Sequence, residues 1–152
     1  MKTPLAHRQP PTAVIADRIP VGVWCRQDSC QFWDRHGIRW GNTFRSSGSL
    51  LLLVDDQRAD DVADPDLVAG MLAAVDGLSA TGLRAVSVTL PDNEPGGIRI
   101  RTSAGYDLYM DALGDVSDQL STLAVFVADR AHDPAFKPQY LDTRTPGRIY
   151  YK

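Results

Sequence analysis

The chain has 152 residues, is 43% hydrophobic and carries a formal net charge of −3, which suits one packed core and a single domain. Its small negative charge and lack of any Lys/Arg block give no electrostatic footprint for nucleic acid or an anionic membrane surface. No apolar run approaches the roughly 18 residues that a membrane span needs.

In chain order, residues 1–12 are Pro-rich, lack the apolar centre of a signal peptide, and read as an irregular N-terminal arm. Such an opening suits a soluble piece of a longer exported or anchored protein better than a cytosolic chain. Residues 13–24 follow as an extended strand, kinked or at a sheet edge at Pro20. Residues 30–34 are its antiparallel partner. A turn at residues 35–37 leads to a short return strand over residues 38–40, and residues 41–49 have loop composition. Residues 50–54 are a buried strand ending at Asp55 and Asp56.

Asp64 and Pro65 are an N-cap and a first helical residue. Leu67, Val68, Met71, Leu72, Val75 and Leu78 then form one apolar face, closed at Gly82. Residues 85–90 are a strand, and 98–102 alternate Ile and Arg, which leaves one face wet. Residues 106–110 form the next strand. A second helix covers residues 116–130, with Leu120, Leu123, Ala124 and Val127 inward. The closing stretch, residues 140–152, reads as one sheet-ending strand, with a bend or bulge at Thr145-Pro146-Gly147. This order predicts an α+β fold: a mostly antiparallel twisted sheet, two helices on one side, and a C-terminal edge strand.

Cys25 and Cys30 flank four residues that suit a hairpin loop. They can form a disulfide if their Cβ atoms approach to about 4 Å, or remain reduced packing thiols. They lack the second ligand pair of a zinc site and the Cys-x-x-Cys spacing of a redox motif. Cys25, His36 and Asp34 supply the residue types of a thiol nucleophile, base and orienter, although Asp34 to Gly37 reads as a solvated turn. Asp55, Asp56, Asp60, Asp61 and Asp64 form an acidic cluster without calcium-loop spacing, which reads as a loop entering a helix N-terminus. No metal and no cofactor is expected. Among Trp24, Phe32, Trp33 and Trp40, alternation predicts that about half are buried.

Four pieces, in this order, resemble the C-terminal β-domain of the FtsQ/DivIB cell-division family: residues 14–24, the Phe32-to-Ile38 hairpin, the Ile98-to-Gly105 hairpin, and the closing residues 140–150. The resemblance covers the chain from about Thr12 onward. Asp17, Thr143 and Thr145 depart from the family pattern, and the cysteine pair is not a general family feature. The resemblance implies that residues 1–12 are the remnant of a link to a missing POTRA domain and that 13–152 are the β-domain. It also implies a transmembrane anchor outside this chain and a place on the extracytoplasmic face of the bacterial membrane, at the division septum.

The implied role is a non-enzymatic scaffold, without a small-molecule substrate, that binds a coiled-coil partner of the FtsB/FtsL type by strand addition to its last strand. On that reading the edge is residues 142–151, with Asp142, Arg144, Thr145, Arg148, Ile149, Tyr150 and Tyr151 at the contact. Arg144 and Arg148 would meet acidic partner residues, while Ile149 and Tyr151 share a face. Two other readings stand beside it: a small exported thiol-dependent hydrolase using Cys25, and an envelope assembly adaptor with a different strand-adding partner.

Overall fold

The computed structural model describes residues 18–45, 51–61 and 64–152. Strands β1 (Gly22–Arg26) and β2 (Ser29–Trp33) form a hairpin closed by Gln27 and Asp28, and β3 (Arg39–Thr43) pairs antiparallel with β2. Strand β4 (Leu52–Asp56) lies parallel to β1. Helix α1 (Pro65–Gly77) and a 3-10 turn (Leu78–Thr81) carry the chain to β5 (Ala85–Leu90), parallel to β4. Strands β6 (Gly97–Thr102) and β7 (Asp107–Asp111) continue as an antiparallel meander. Helix α2 (Val116–Arg130) then crosses to β8 (Tyr140–Asp142), parallel to β7, and β9 (Tyr150–Tyr151) folds back against β8. The sheet order is β3-β2-β1-β4-β5-β6-β7-β8-β9.

Alternation of side chains explains why this sheet has one dry face. Trp24, Val54, Val88, Ile100, Leu108 and Leu141 stand opposite one another across six strands. Each is 2% exposed or less. This row meets Leu67, Val68, Met71 and Leu72 of α1 and Leu123 of α2 in a single core. The neighbouring row, Cys25, Asp55, Thr89, Arg99, Tyr109 and Asp142, points to the other face and is mostly polar.

Both helices start as the sequence predicts. Asp64 accepts the Asp66 N–H at 2.9 Å ahead of Pro65, and Asp115 accepts the Asp118 N–H at 2.9 Å. At Gly70 the backbone of α1 comes so close to the Ala112 carbonyl that a Cβ would sit 1.8 Å from its oxygen.

The α+β class and the helices on one side of a mostly antiparallel sheet agree with the sequence reading: five of the eight strand pairings are antiparallel and three are parallel. Several boundaries move. The first strand runs from Gly22 to Arg26, so Pro20 precedes it and does not kink it; residues 13–17 lie outside the described residues. Strand β3 extends to Thr43 because Gly41, at φ 62°, takes up a bulge that shifts the register against β2. Strand β4 starts at Leu52 and, as the sequence predicts, ends at Asp56, with both aspartates inside the strand. Residues 140–152 form two strands with a turn between them, not one.

Candidate functional site: the C-terminal edge

The edge is built from α2 outward. Gln119, buried on the first turns of α2, accepts the Asp111 N–H at 2.9 Å and donates to the Asp111 carbonyl at 2.9 Å, so it ties the helix to the end of β7. Thr143, 1% exposed just after β8, donates its hydroxyl to the Tyr109 carbonyl at 3.1 Å, and its backbone N–H donates to the same carbonyl. These contacts fix where β8 stops.

The next residues make a tight turn. The Arg148 N–H donates to the Thr145 carbonyl at 3.1 Å, with Pro146 and Gly147 between them and Gly147 at φ 65°. Pro at the second and Gly at the third position with positive φ is the chemistry of a type II turn. The predicted bend at Thr145-Pro146-Gly147 is therefore present, and it returns the chain so that Asp142 faces Tyr150 and Leu141 faces Tyr151.

Hydrogen bonding decides which backbone groups stay outside. The Thr143 N–H and the Gln139 carbonyl bond to β7, so the alternate residues of β8, including Asp142, bond to β9. Tyr150 faces inward to Asp142, and the backbone N–H and C=O of Tyr151 point away from the sheet. Among the described residues no strand lies beyond β9.

The side chains of the predicted contact set divide into three groups. Ile149 and Tyr151 do share the helix side: Ile149 packs on the core, and Tyr151 meets Phe126 and Phe136, each at a 5.6 Å centroid distance. Arg130 lies over both Phe rings at 5.6 and 5.8 Å. Tyr150 is on the other face and half exposed. Arg144 is engaged inside the chain: it holds Asp142 at 2.6 and 2.9 Å, reaches Glu94 at 3.2 Å, and lies 5.4 Å from the Tyr109 ring centroid. Burial alone would raise the Asp142 carboxyl; Arg144, through its guanidinium and its backbone N–H, more than reverses this and holds it below the ordinary carboxylate range. Arg148 is exposed and its guanidinium has no partner among the described residues, and Thr145 is exposed on the turn. The ring cluster of Phe126, Phe136 and Tyr151 is the part sequence reading missed, because Phe136 lies in an irregular segment with no periodicity.

The other candidates resolve into structural roles. Cys25 and Cys30 are directly opposite in the β1–β2 hairpin and joined as a disulfide. Cys25 is fully buried among Val23, Phe32 and Leu53 on the face away from the helices. Asp34 is buried, accepts the backbone N–H groups of His36 and Ile38 at 2.9 and 3.0 Å, and pairs with Arg18 at 2.7 Å. It orders a turn and does not touch the exposed His36 ring. The thiol, imidazole and carboxylate of the hydrolase reading are thus not brought together, and the sulfur it needs is in a bridge.

Three of the five acidic residues are paired with arginines, Asp55 with Arg45 at 2.6 Å, Asp56 with Arg58 at 2.8 Å and Asp61 with Arg39 at 2.7 Å, and Asp64 caps α1. No group of three or more metal-ligating side chains occurs among the described residues. Trp24 and Trp33 are buried and meet edge-on at 5.5 Å, while Phe32 and Trp40 are partly exposed, the even split that alternation predicts. Among the described residues no helix is long and apolar enough to cross a membrane. No protein-family model matches the chain, and no curated protein matches it.

Proposed function

We propose that this chain is a non-enzymatic scaffold domain of the FtsQ/DivIB kind, which recruits a septal coiled-coil partner of the FtsB/FtsL type by adding the partner's extended segment to β9. The observation that carries the reading is the unpaired outer side of β9 at the end of a nine-stranded sheet. A sheet edge left open invites pairing with another chain.

The two ends of the sheet support the choice of edge. At β3 the bulge at Gly41 interrupts the ladder, and Arg39 is held by Asp61; bulges and charges are the usual protection of an edge. Strand β9 carries two tyrosines, has no bulge, and has Arg148 two residues before it and Lys152 directly after it. It is short, so backbone pairing there offers few bonds. Side chains must add affinity, and Tyr151 with Phe126 and Phe136 gives the incoming strand an apolar shelf on the helix side. Arg148 is the charge available to an acidic partner residue, since Arg144 is already paired.

The disulfide fits an extracytoplasmic location, where such bridges form and persist. An envelope adaptor with another strand-adding partner would use the same edge.

Pulldown with candidate septal coiled-coil proteins tests the reading. Tyr151→Pro removes the outward N–H and leaves the Asp142–Tyr150 pairing in place; deletion of the last three residues removes the strand. Cutting after Asp142 would also remove buried Thr143 and partly buried Ile149, so it is the poorer variant. Loss of the partner by both folded variants supports docking at β9. Capture undiminished by either variant refutes it.

A further inference from the structure

At the opposite end of the sheet, on the face that carries the helices, a groove of about 420 Å³ runs beside the β1–β3 strands, lined by Trp24, Arg26, Ser29, Gln31, Arg39 and Asp61 among others. Its two arginines are fixed by the fold. Arg26 donates to the carbonyls of Arg58 and Ala59 at 2.7 and 3.1 Å, and the Arg39 guanidinium lies 5.7 Å from the Trp24 ring centroid. Their side chains are 25% and 19% exposed.

Both arginines converge on one oxygen, Oδ1 of Asp61, at 3.0 and 2.7 Å. Asp61 is 60% exposed and lies on the loop after β4, outside the strands that hold the arginines. Two guanidinium groups therefore share one carboxylate. The side chains of Ser29 and Gln31 make no hydrogen bond among the described residues, which adds uncommitted donors to the groove. Arg39 also donates to the Asp61 main-chain carbonyl at 3.2 Å and Arg26 Nε lies 3.7 Å from Asp56, so the arginines are held in place while the Asp61 carboxylate is the exposed member: this is a receptor geometry with its own ligand seated in it.

We infer that the Arg26–Arg39 groove receives an acidic side chain of a protein partner, and that Asp61 occupies it in the free chain. The incoming carboxylate takes both guanidinium groups in bidentate contact, with Gln31 and Ser29 able to donate to its second oxygen. Asp61 then moves to solvent, where its charge is hydrated. The site lies at the far edge from β9, so one chain can hold two segments at once.

The test compares wild type with Asp61→Ala and Asp61→Asn, using a fluorescein-labelled Gly-Glu-Glu-Gly-Glu-Glu peptide and free glutarate as probes. Anisotropy reads affinity, and the Trp24 indole and Gln31 amide signals in ¹⁵N–¹H spectra read location. Each exposed pair that competes is worth up to about fivefold, so both variants should bind the peptide about fivefold tighter than wild type. That gain should vanish when Arg39→Gln is added and should shrink in high salt. Equal affinity of wild type and both folded Asp61 variants overturns the proposal. So does a gain that survives Arg39→Gln, or signals that shift elsewhere. Glutarate binding as tightly as the peptide would overturn the protein partner in favour of a small acid. A Tyr151→Pro chain should bind the peptide like wild type, which separates this site from the β9 edge.

Discussion

Asp55 and Asp56 are adjacent in sequence and identical in chemistry, yet replacing each with alanine should have very different effects. The Asp56 side chain is 1% exposed, accepts Arg58 Nε and Nη2 at 2.8 and 2.9 Å and the Arg58 N–H at 3.1 Å, and takes the Trp24 indole N–H at 3.1 Å. Asp56→Ala leaves that indole, on a residue 2% exposed, without its acceptor, a loss of about 1–3 kcal/mol. It also strips Arg58 of its counter-charge, and breaking a buried pair costs about 3–5 kcal/mol. Arg58 keeps a path to solvent, so the total should fall near the lower end of the combined range, at about 4 kcal/mol. The Asp55 side chain is 26% exposed and its partner Arg45 46% exposed, so Asp55→Ala should cost about 0–1 kcal/mol. Urea unfolding at neutral pH, followed by tryptophan fluorescence, measures both, with the slope checked for constancy. Adding Arg58→Ala to Asp56→Ala should recover part of the loss, since the stranded charge goes with it. Equal costs for the two single variants, or less than about 1 kcal/mol for Asp56→Ala, would refute the burial argument.

Reduction of the Cys25–Cys30 bridge opens a loop of sequence separation five, which the chain-entropy argument values at about 2 kcal/mol; thermal scans with and without reductant should show the midpoint several degrees lower without the bridge, and an unchanged midpoint would place that constraint in the turn instead. Gly70→Ala should destabilise by about 1–3 kcal/mol through overpacking against Ala112, outweighing the helix propensity gained; a stabilised variant in urea would show that α1 shifts freely. Asp34, Asp55, Asp56 and Asp142 all titrate below their ordinary value. Depressed folded values mean that their contribution is present above the unfolded value of about 3.9 and lost as pH falls below it, so the urea midpoint should hold from pH 7 to 5 and drop by pH 3.

What the sequence revealed follows from how local each cause is. The N-cap at Asp64, the extent of α2, the Ile98–Thr102 alternation and the Thr145-Pro146-Gly147 turn depend on residues within a few positions of one another. The strand end at Asp56 is legible, but the burial of that carboxylate is not, because it rests on Trp24, 32 residues away. Two short strands at the C-terminus look like one because β-branched and aromatic residues flank the turn without a break in composition. At the site, the sequence reading leaves Arg144 free for a partner although it pairs with Asp142 two residues away, and the Glu94 contact and the Phe126–Phe136–Tyr151 cluster need the parallel placement of β8 beside β7. The arginines around Asp61 come from β1 and β3, so the acidic cluster reads as a bare loop until the hairpin is folded.

The three parallel pairings described above divide the sheet into local blocks: β1–β3, the lone β4, β5–β7, and the small β8–β9 pair. Within a block, neighbours in sequence find each other quickly, whereas each parallel seam must first close a long intervening segment. The last block pairs with the rest along one seam of three residue pairs, and its Leu141 and Ile149 pack on the core while Tyr151 meets Phe126 and Phe136. Strand β9, joined by two residue pairs and half exposed, is the piece that can detach while β8 stays, because Leu141 is fully buried and Thr143 is bonded to Tyr109. On the proposed reading, the availability of this edge to a partner is set by that local equilibrium, and the global stability of the fold has little say in it.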